Sequence, residues 1–113
     1  MGLFARIPSV EPEQAAERLR NREVVVVDVR LRHEWKAGRI RGAVHLPLHE
    51  LSAAVGGMPR DRTLITVCRS GHRSAAAARM LKRAGFEVEN LRGGMTRWVR
   101  AGLPLEPANG RVV

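Results

Sequence analysis

The sequence predicts an α/β protein with an open, mostly parallel sheet and helices on both faces. Three observations indicate this class. Segments with the pattern of buried strands alternate with amphipathic helical segments along the chain. The strand-like segments are rich in β-branched residues and lack polar alternation, which is typical of strands covered on both faces. The 113 residues contain no repeat, low-complexity tract or linker, so we expect one domain over residues 1–113, with a core at about residues 6–103 and a short tail at residues 104–113.

The first helix and the first strand have clear end signals. Residues 11–19 carry a proline near the first turn and acidic residues at the start, with arginines toward the end. This pattern predicts a helix with Ala15, Ala16 and Leu19 on its buried side. A run of valines follows and predicts a buried strand over residues 24–29.

Shorter elements are expected in the middle of the chain. A short helix over residues 31–37 ends at Gly38, and residues 43–46 form a short strand before a proline. Residues 48–55 have a helical pattern that stops at two glycines, residues 56–57. These elements connect the first buried strand to the second.

The second half of the chain contains the clearest strand. Residues 63–67 are apolar or β-branched, and this strand places Cys68 at its carboxyl end. A polar loop over residues 69–73 comes next, and a helix is expected over residues 74–84, closed by Gly85. The last predicted elements are a strand over residues 87–91 and a helix over residues 95–101.

Composition narrows the function classes. The longest strongly apolar run, residues 24–27, is far shorter than the roughly 20 residues of a membrane helix. The N-terminus lacks the apolar core of a signal peptide, so we expect a cytoplasmic protein. The net charge of +9 comes almost wholly from scattered arginines, and few aromatic residues accompany them. This pattern favours a solvated, anion-attracting surface over a nucleic-acid interface.

The single cysteine, Cys68, is the strongest candidate for chemistry. Ligands of open parallel sheets bind at the carboxyl ends of strands, where this cysteine is expected. Gly71 allows the following loop to curl, so that backbone N–H groups and the start of the next helix meet the sulfur. Together with Arg69 and Arg73, these groups would lower the thiol pKa. The alternative role, a small buried apolar residue, fits poorly with such a polar and cationic loop.

Metal and disulfide chemistry find little support. One cysteine leaves no internal disulfide, no thiol cluster for zinc and no resolving thiol. Asp28, at a strand end, could be a general base or a metal ligand, but no second ligand stands at a suitable spacing, and a structural ion pair is favoured. His33, His45 and His49 are spaced too irregularly for a metal site, so we expect no metal and no cofactor.

Five further residues have more than one interpretation. His72 could act as an acid or base, contact substrate or face solvent. Trp35 and Trp98 could line a pocket, although packing is the commoner role of large aromatics on short helices. The glycines at residues 93–94 predict a turn into the last helix, whose backbone could approach the loop after Cys68.

Four segments resemble the sequence pattern of the rhodanese family, in order and in spacing. They are Val27-Asp28-Val29-Arg30 with Glu34, then Gly38-Arg39-Ile40-Arg41-Gly42-Ala43-Val44-His45-Leu46-Pro47, then Cys68-Arg69-Ser70-Gly71-His72-Arg73-Ser74, and finally Leu91-Arg92-Gly93-Gly94-Met95 with Trp98. The resemblance covers roughly residues 6–103. His72 departs from the commonest loop pattern, which has Asn there, and this leaves the substrate open.

The resemblance implies a rhodanese-like fold in which Cys68 carries sulfur as a persulfide. It also implies that Asp28, Arg30 and Glu34 form a buried or semi-buried polar network that supports the active-site loop. The loop residues implied to bind substrate are Arg69, Ser70, Gly71, His72, Arg73 and Ser74.

The function expected from this resemblance is sulfur transfer. The Cys68 thiolate would take the sulfane sulfur of a small anionic donor, such as thiosulfate or a persulfide. An external thiol or cyanide, or a sulfur-relay protein, would then remove it. Arg69 and Arg73 would attract and orient the anionic donor.

Two alternatives stay open. One is a non-catalytic carrier that receives persulfide sulfur from a partner protein and passes it on, which also needs an intact Cys68 loop. The other is a cysteine-dependent phosphatase or arsenate reductase, whose loop has its arginine at the sixth position after the cysteine. Ser74 stands at that position and Arg73 one residue earlier, so this loop is one residue short for phosphate.

Overall fold

In a computed structural model of the protein, which describes residues 6–113, five strands form a single parallel sheet with helices on both faces. The strands are β1 (Ser9–Val10), β2 (Val24–Asp28), β3 (Val44–His45), β4 (Thr63–Val67) and β5 (Val88–Leu91). The helices are α1 (Pro12–Arg20), α2 (Arg32–Ala37), α3 (Leu51–Ala54), α4 (His72–Arg83) and α5 (Gly94–Arg100). The predicted fold class, an open parallel α/β sheet, is confirmed.

The strand order β1-β5-β4-β2-β3 places the carboxyl end of β4 in the middle of the sheet. Asp28 at the end of β2 lies beside Val67, and Asn90 of β5 lies beside Thr66. The residues that follow these three strands therefore meet at one edge of the sheet. Cys68 is the first residue after β4, so it lies at this edge.

The core consists of two apolar clusters, one on each face of the sheet. Successive strand residues point to opposite faces, so Val26 joins one cluster and Val27 the other. Helices α1 and α5 cover the first cluster, through residues such as Ala15 and Met95. Helices α3 and α4 cover the second cluster, which includes Leu51, Leu81 and Cys68. Burial on both faces explains why the strands read as unbroken apolar runs.

Some elements differ from the sequence prediction. Helix α4 begins at His72 rather than at residue 74, because Gly71 occupies the N-cap with a positive φ of 119°. The helix expected over residues 48–55 is a short α-helix between two single-turn 3₁₀ helices, Leu48–Glu50 and Val55–Gly57. Its only fully buried side chain is Leu51, which provides little packing to stabilise a longer regular helix.

The C-terminal tail packs back onto the domain. The N–H of Arg39 donates to the carbonyl of Glu106 at 3.0 Å, and the N–H of Glu106 donates to the carbonyl of Arg39 at 2.8 Å. Leu105 and Val112 pack against the cluster that α1 and α5 cover. Over residues 6–113, no helix has the length and apolar character that a bilayer-spanning helix needs.

Candidate active site

Cys68 lies under a tight loop between β4 and α4. Its side chain is 1% exposed, and the loop consists only of Arg69, Ser70 and Gly71 before α4 begins. The predicted loop residues His72 to Ser74 therefore lie on the first turn of α4. The amino end of this helix, with its unpaired N–H groups, is directed at the sulfur.

Two hydrogen-bond donors contact the sulfur of Cys68 directly. The backbone N–H of Gly71 lies 3.0 Å from Sγ, and the hydroxyl of Ser74 lies 3.2 Å from it. Burial of Cys68 raises the pKa of its thiol, but hydrogen bonds from the Ser74 hydroxyl and from the amides of Ser74, Gly71 and Ser70 outweigh this effect and lower that pKa. We call this set of donors around Sγ the sulfur cup. It favours the thiolate, which is the nucleophilic form of cysteine.

The amino end of α5 forms the other support of the loop. The N–H of Met95 donates to the carbonyl of Cys68 at 2.9 Å, and the N–H of Thr96 donates to the carbonyl of Arg69 at 3.1 Å. A Cβ on Gly94 would lie 2.6 Å from the carbonyl oxygen of Arg69. Gly94 also has a φ of +59°, so only glycine fits this approach without strain. The backbone contact considered for residues 93–94 is present.

Asp28 and Arg30 form a fully buried ion pair beside the loop. The Arg30 guanidinium donates to both carboxylate oxygens of Asp28, with a shortest N···O distance of 2.8 Å, and both side chains are 0% exposed. The same guanidinium donates to the carbonyls of Glu34 at 3.3 Å and Gly38 at 2.8 Å. Asp28 is thus occupied by a structural partner, as the sequence favoured. Residues 6–113 contain no group of three His, Cys, Asp or Glu side chains that could hold a metal.

Glu34 joins this network to the loop through Arg73. The Arg73 guanidinium donates to both carboxylate oxygens of Glu34, at 2.7 and 2.9 Å. The Arg73 side chain lowers the pKa of Glu34 to about 2, and the N–H of Leu31 adds to this effect, while burial opposes it. Both terminal nitrogens of Arg73 are therefore engaged by a carboxylate, which was not expected for a residue predicted to orient the anionic donor. The role of Arg73 in orienting the anionic donor stays a prediction.

A family model of the rhodanese-like domain matches residues 11–101 of the chain. The chain belongs to the rhodanese-like domain family. The sulfurtransferase of Allochromatium vinosum is 37% identical over 106 residues, which is 92% of this chain and 99% of that protein. The thiosulfate sulfurtransferase GlpE of Pseudomonas putida is 40% identical over 111 residues, or 97% of both chains. The crystal structure of a rhodanese-related protein from Thermoplasma volcanium superposes with a TM-score of 0.81 at 28% identity, covering 87% of this chain and 96% of that one.

Three loop residues of this rhodanese-like domain face solvent. Arg69, Ser70 and His72 are exposed, whereas Ser74 is fully buried and Gly71 and Arg73 are partly buried. Arg69 is adjacent to Cys68 and forms no salt bridge with a carboxylate of residues 6–113. Arg69 is thus the more exposed of the two arginines in this segment, since Arg73 is partly buried and paired with Glu34.

The two tryptophans pack rather than line the sulfur cup. Trp98 is 3% exposed, and its indole N–H donates to the carbonyl of Pro104 at 2.9 Å. Trp35 stacks on His45 with ring centroids 4.7 Å apart. His45 in turn hydrogen-bonds the carbonyl of Arg30 at 2.8 Å through Nε2. A groove of about 610 Å³ lies at the amino ends of β2 and β3, where Trp98 lines it and Cys68 does not.

Two polar residues near the loop were missed by the sequence analysis. Thr66 is fully buried, and its hydroxyl lies 3.2 Å from Oδ1 of Asn90. The amide nitrogen of Asn90 donates to the carbonyl of Gly71 at 3.2 Å. The available signal was a polar residue near the carboxyl end of each of two predicted buried strands, which is the position expected of residues facing a ligand site.

Proposed function

We propose that this rhodanese-like domain is a sulfurtransferase that moves a sulfane sulfur from thiosulfate, or a related anionic donor, to cyanide or a thiol. The observation that carries the proposal is the sulfur cup. It surrounds the only cysteine with hydrogen-bond donors and has no metal cluster or second thiol nearby among residues 6–113. The names of the Allochromatium and Pseudomonas relatives support this activity.

The reaction has two steps that balance. In the first, the Cys68 thiolate attacks the outer sulfur of thiosulfate, the S–S bond of thiosulfate breaks, and sulfite leaves with the bonding electron pair. Cys68 then carries a persulfide whose terminal sulfur is anionic. In the second step, cyanide or a thiolate attacks that terminal sulfur, and the Cys68 thiolate leaves. Neither step needs a cofactor.

The sulfur cup can stabilise the charge in both steps. The N–H of Gly71 and the hydroxyl of Ser74 donate to the thiolate before the attack and again when Cys68 leaves. Other amides at the start of α4 can donate to the persulfide sulfur. These donors are fixed by the backbone, so little reorganisation is needed as charge moves.

The geometry favours sulfur over phosphate. The residue at the position of a phosphatase arginine is Ser74, and its hydroxyl contacts the cysteine sulfur itself at 3.2 Å. Arg73 is directed to Glu34 instead of to the space above the loop. A phosphate over this loop would therefore lack an arginine at the position that the phosphatase loop uses to hold two of its oxygens.

Arg69 is the cation that we propose attracts the anionic donor, with His72 beside it. Both are exposed, and an exposed guanidinium can offer two parallel hydrogen bonds to an oxyanion. The acceptor approaches from the same side, because the other sides of the loop are covered by α5 and the Glu34–Arg73 pair. The cytoplasmic location stays a prediction, which fractionation of producing cells would test.

Steady-state kinetics with thiosulfate and cyanide test the proposal. We expect thiocyanate formation with parallel lines in double-reciprocal plots, because donor and acceptor react in separate steps with the same sulfur atom. Cys68→Ser should abolish turnover while circular dichroism shows a retained fold. Turnover by this variant would contradict the mechanism. Stoichiometric loading with negligible turnover would favour the non-catalytic carrier instead.

A further inference from the structure

The Ser74 hydroxyl has one proton and two acceptors at equal distance. The sulfur of Cys68 and the carbonyl oxygen of Gly71 each lie 3.2 Å from Ser74 Oγ. Only one of them can receive the proton at a time, since a hydroxyl is a single donor. When the carbonyl receives it, the thiolate loses the Ser74 hydroxyl as a donor.

Asn90 supplies an alternative donor to the competing acceptor. Its side-chain nitrogen Nδ2 donates to the Gly71 carbonyl at 3.2 Å, and the N–H of Ala75 donates to the same oxygen at 3.0 Å. A carbonyl oxygen has two lone pairs, and these two donors satisfy both. The Ser74 hydroxyl is then free to donate its hydrogen bond to the sulfur.

The orientation of the Asn90 amide follows from its neighbours. The Gly71 carbonyl only accepts hydrogen bonds, so the amide must direct Nδ2 toward it. Its oxygen Oδ1 then faces the Thr66 hydroxyl at 3.2 Å, and this hydroxyl shares its one proton between Oδ1 and the Ser74 carbonyl, which lies 3.0 Å away. Thr66 and Asn90 are register partners on β4 and β5. A rigid pair of strands thus holds the amide in place.

We propose that Asn90 is a positioning residue which keeps the Ser74 hydroxyl donating its hydrogen bond to the sulfur of Cys68. Asn90 does not contact the reacting sulfur, and it acts through Ser74 and Gly71. The effect of Asn90 on sulfur transfer rests on the proposed function, whereas its effect on the Cys68 thiol does not. The immediate prediction concerns the protonation of Cys68, which can be measured without any sulfur donor.

The test is a double-mutant cycle read through the thiol pKa. The pH dependence of iodoacetamide alkylation gives the pKa of Cys68 in the wild type, Asn90→Leu, Ser74→Ala and the double variant. We expect Asn90→Leu to raise this pKa by about half a unit to one unit, a fraction of the effect of a hydrogen bond to a charged group. In the Ser74→Ala background, Asn90→Leu should have no further effect on this pKa, because the hydroxyl that Asn90 orients is absent.

Two further variants keep the proposal falsifiable. Thr66→Val is nearly isosteric and removes a hydroxyl that Oδ1 shares with the backbone carbonyl of Ser74, so it should raise the pKa of Cys68 by less than Asn90→Leu does. Glu89 lies next to Asn90 on β5, but its side chain binds Arg18. Glu89→Ala should therefore leave the pKa of Cys68 unchanged. If Asn90→Leu fails to fold, Thr66→Val and its double variant with Ser74→Ala carry the same test.

Equal shifts in the wild-type and Ser74→Ala backgrounds would overturn the proposal, and so would the absence of a shift in Asn90→Leu. These outcomes are independent of the proposed function. A domain that shows the predicted cycle but transfers no sulfur from thiosulfate would contradict the proposed function alone.

Discussion

Removing the charge of Glu34 tests the link between the buried network and the loop. Glu34→Gln keeps the shape of the side chain but removes its negative charge. The ion pair with Arg73, whose N···O distances are 2.7 and 2.9 Å, is then lost. The Glu34 side chain is 8% exposed and that of Arg73 is 37% exposed. The variant therefore leaves an arginine that can still reach water, which limits the penalty of losing its partner.

The magnitude follows from the pKa of Glu34. A pKa lowered from 4.5 to about 2 corresponds to about 3 kcal/mol of preferential stabilisation of the ionised form. Solvent around the half-exposed Arg73 screens part of this effect. We expect Glu34→Gln to lower the free energy of unfolding by about 1–3 kcal/mol at pH 7.

The pH dependence has a defined sign. The pKa of Glu34 is lower in the folded state than in the unfolded state, so its contribution to stability is fully present above about pH 5. The contribution is lost as the pH falls from the unfolded value of 4.5 toward the folded value of about 2. The difference between wild type and Glu34→Gln should therefore shrink over this interval.

Urea unfolding curves at several pH values between 7 and 2.5 measure this difference, provided that both proteins unfold in one cooperative step. Glu11→Gln is a matched control, because Glu11 pairs with Arg92 at 2.7 Å on the surface, where both side chains are about half exposed. We expect its effect to stay below about 1 kcal/mol. A Glu34→Gln difference that stays constant down to pH 2.5 would refute the assignment of the low pKa to this ion pair.

Three more substitutions probe the sulfur cup and its entrance. Ser74→Ala should raise the pKa of Cys68 by about 1–2 units, because the thiolate loses a direct donor, and an unchanged alkylation profile would show that the hydroxyl points elsewhere. Gly94→Ala should lower the free energy of unfolding by about 2 kcal/mol or more and reduce turnover, because its Cβ would collide with the loop backbone. Gly102 is the control: it has a φ of +76° and open space around it, so Gly102→Ala measures the cost of a positive φ alone. Arg69→Ala should raise the KM for thiosulfate about tenfold and more than Arg73→Ala does, and the reverse order would return the donor-binding role to Arg73.

The sequence predicted best those features that depend on a local pattern of residue types. The valines of β2 and the apolar run of β4 predicted buried strands, and the strand end predicted the place of Cys68. Gly71 was assigned to the curl of the loop, and it has a positive φ of 119°. These features depend on local patterns that a single chain displays.

The rest depended on contacts between residues far apart in the chain. Arg73 pairs with Glu34, 39 positions away in the chain, so this partner could not be predicted from the loop alone. Asn90 meets Gly71 only because β4 and β5 pair in one register. Strand β1 has two residues and takes its place from pairing with β5, and such a short edge strand has no pattern of its own.

The central claim is that Cys68 carries sulfur as a persulfide, and the intact mass of the protein after incubation with thiosulfate tests it most directly. We predict a mass increase of one sulfur atom in the wild type, removed by cyanide and absent in Cys68→Ser. An unmodified wild-type mass, or an added sulfur that persists in Cys68→Ser, would contradict the claim.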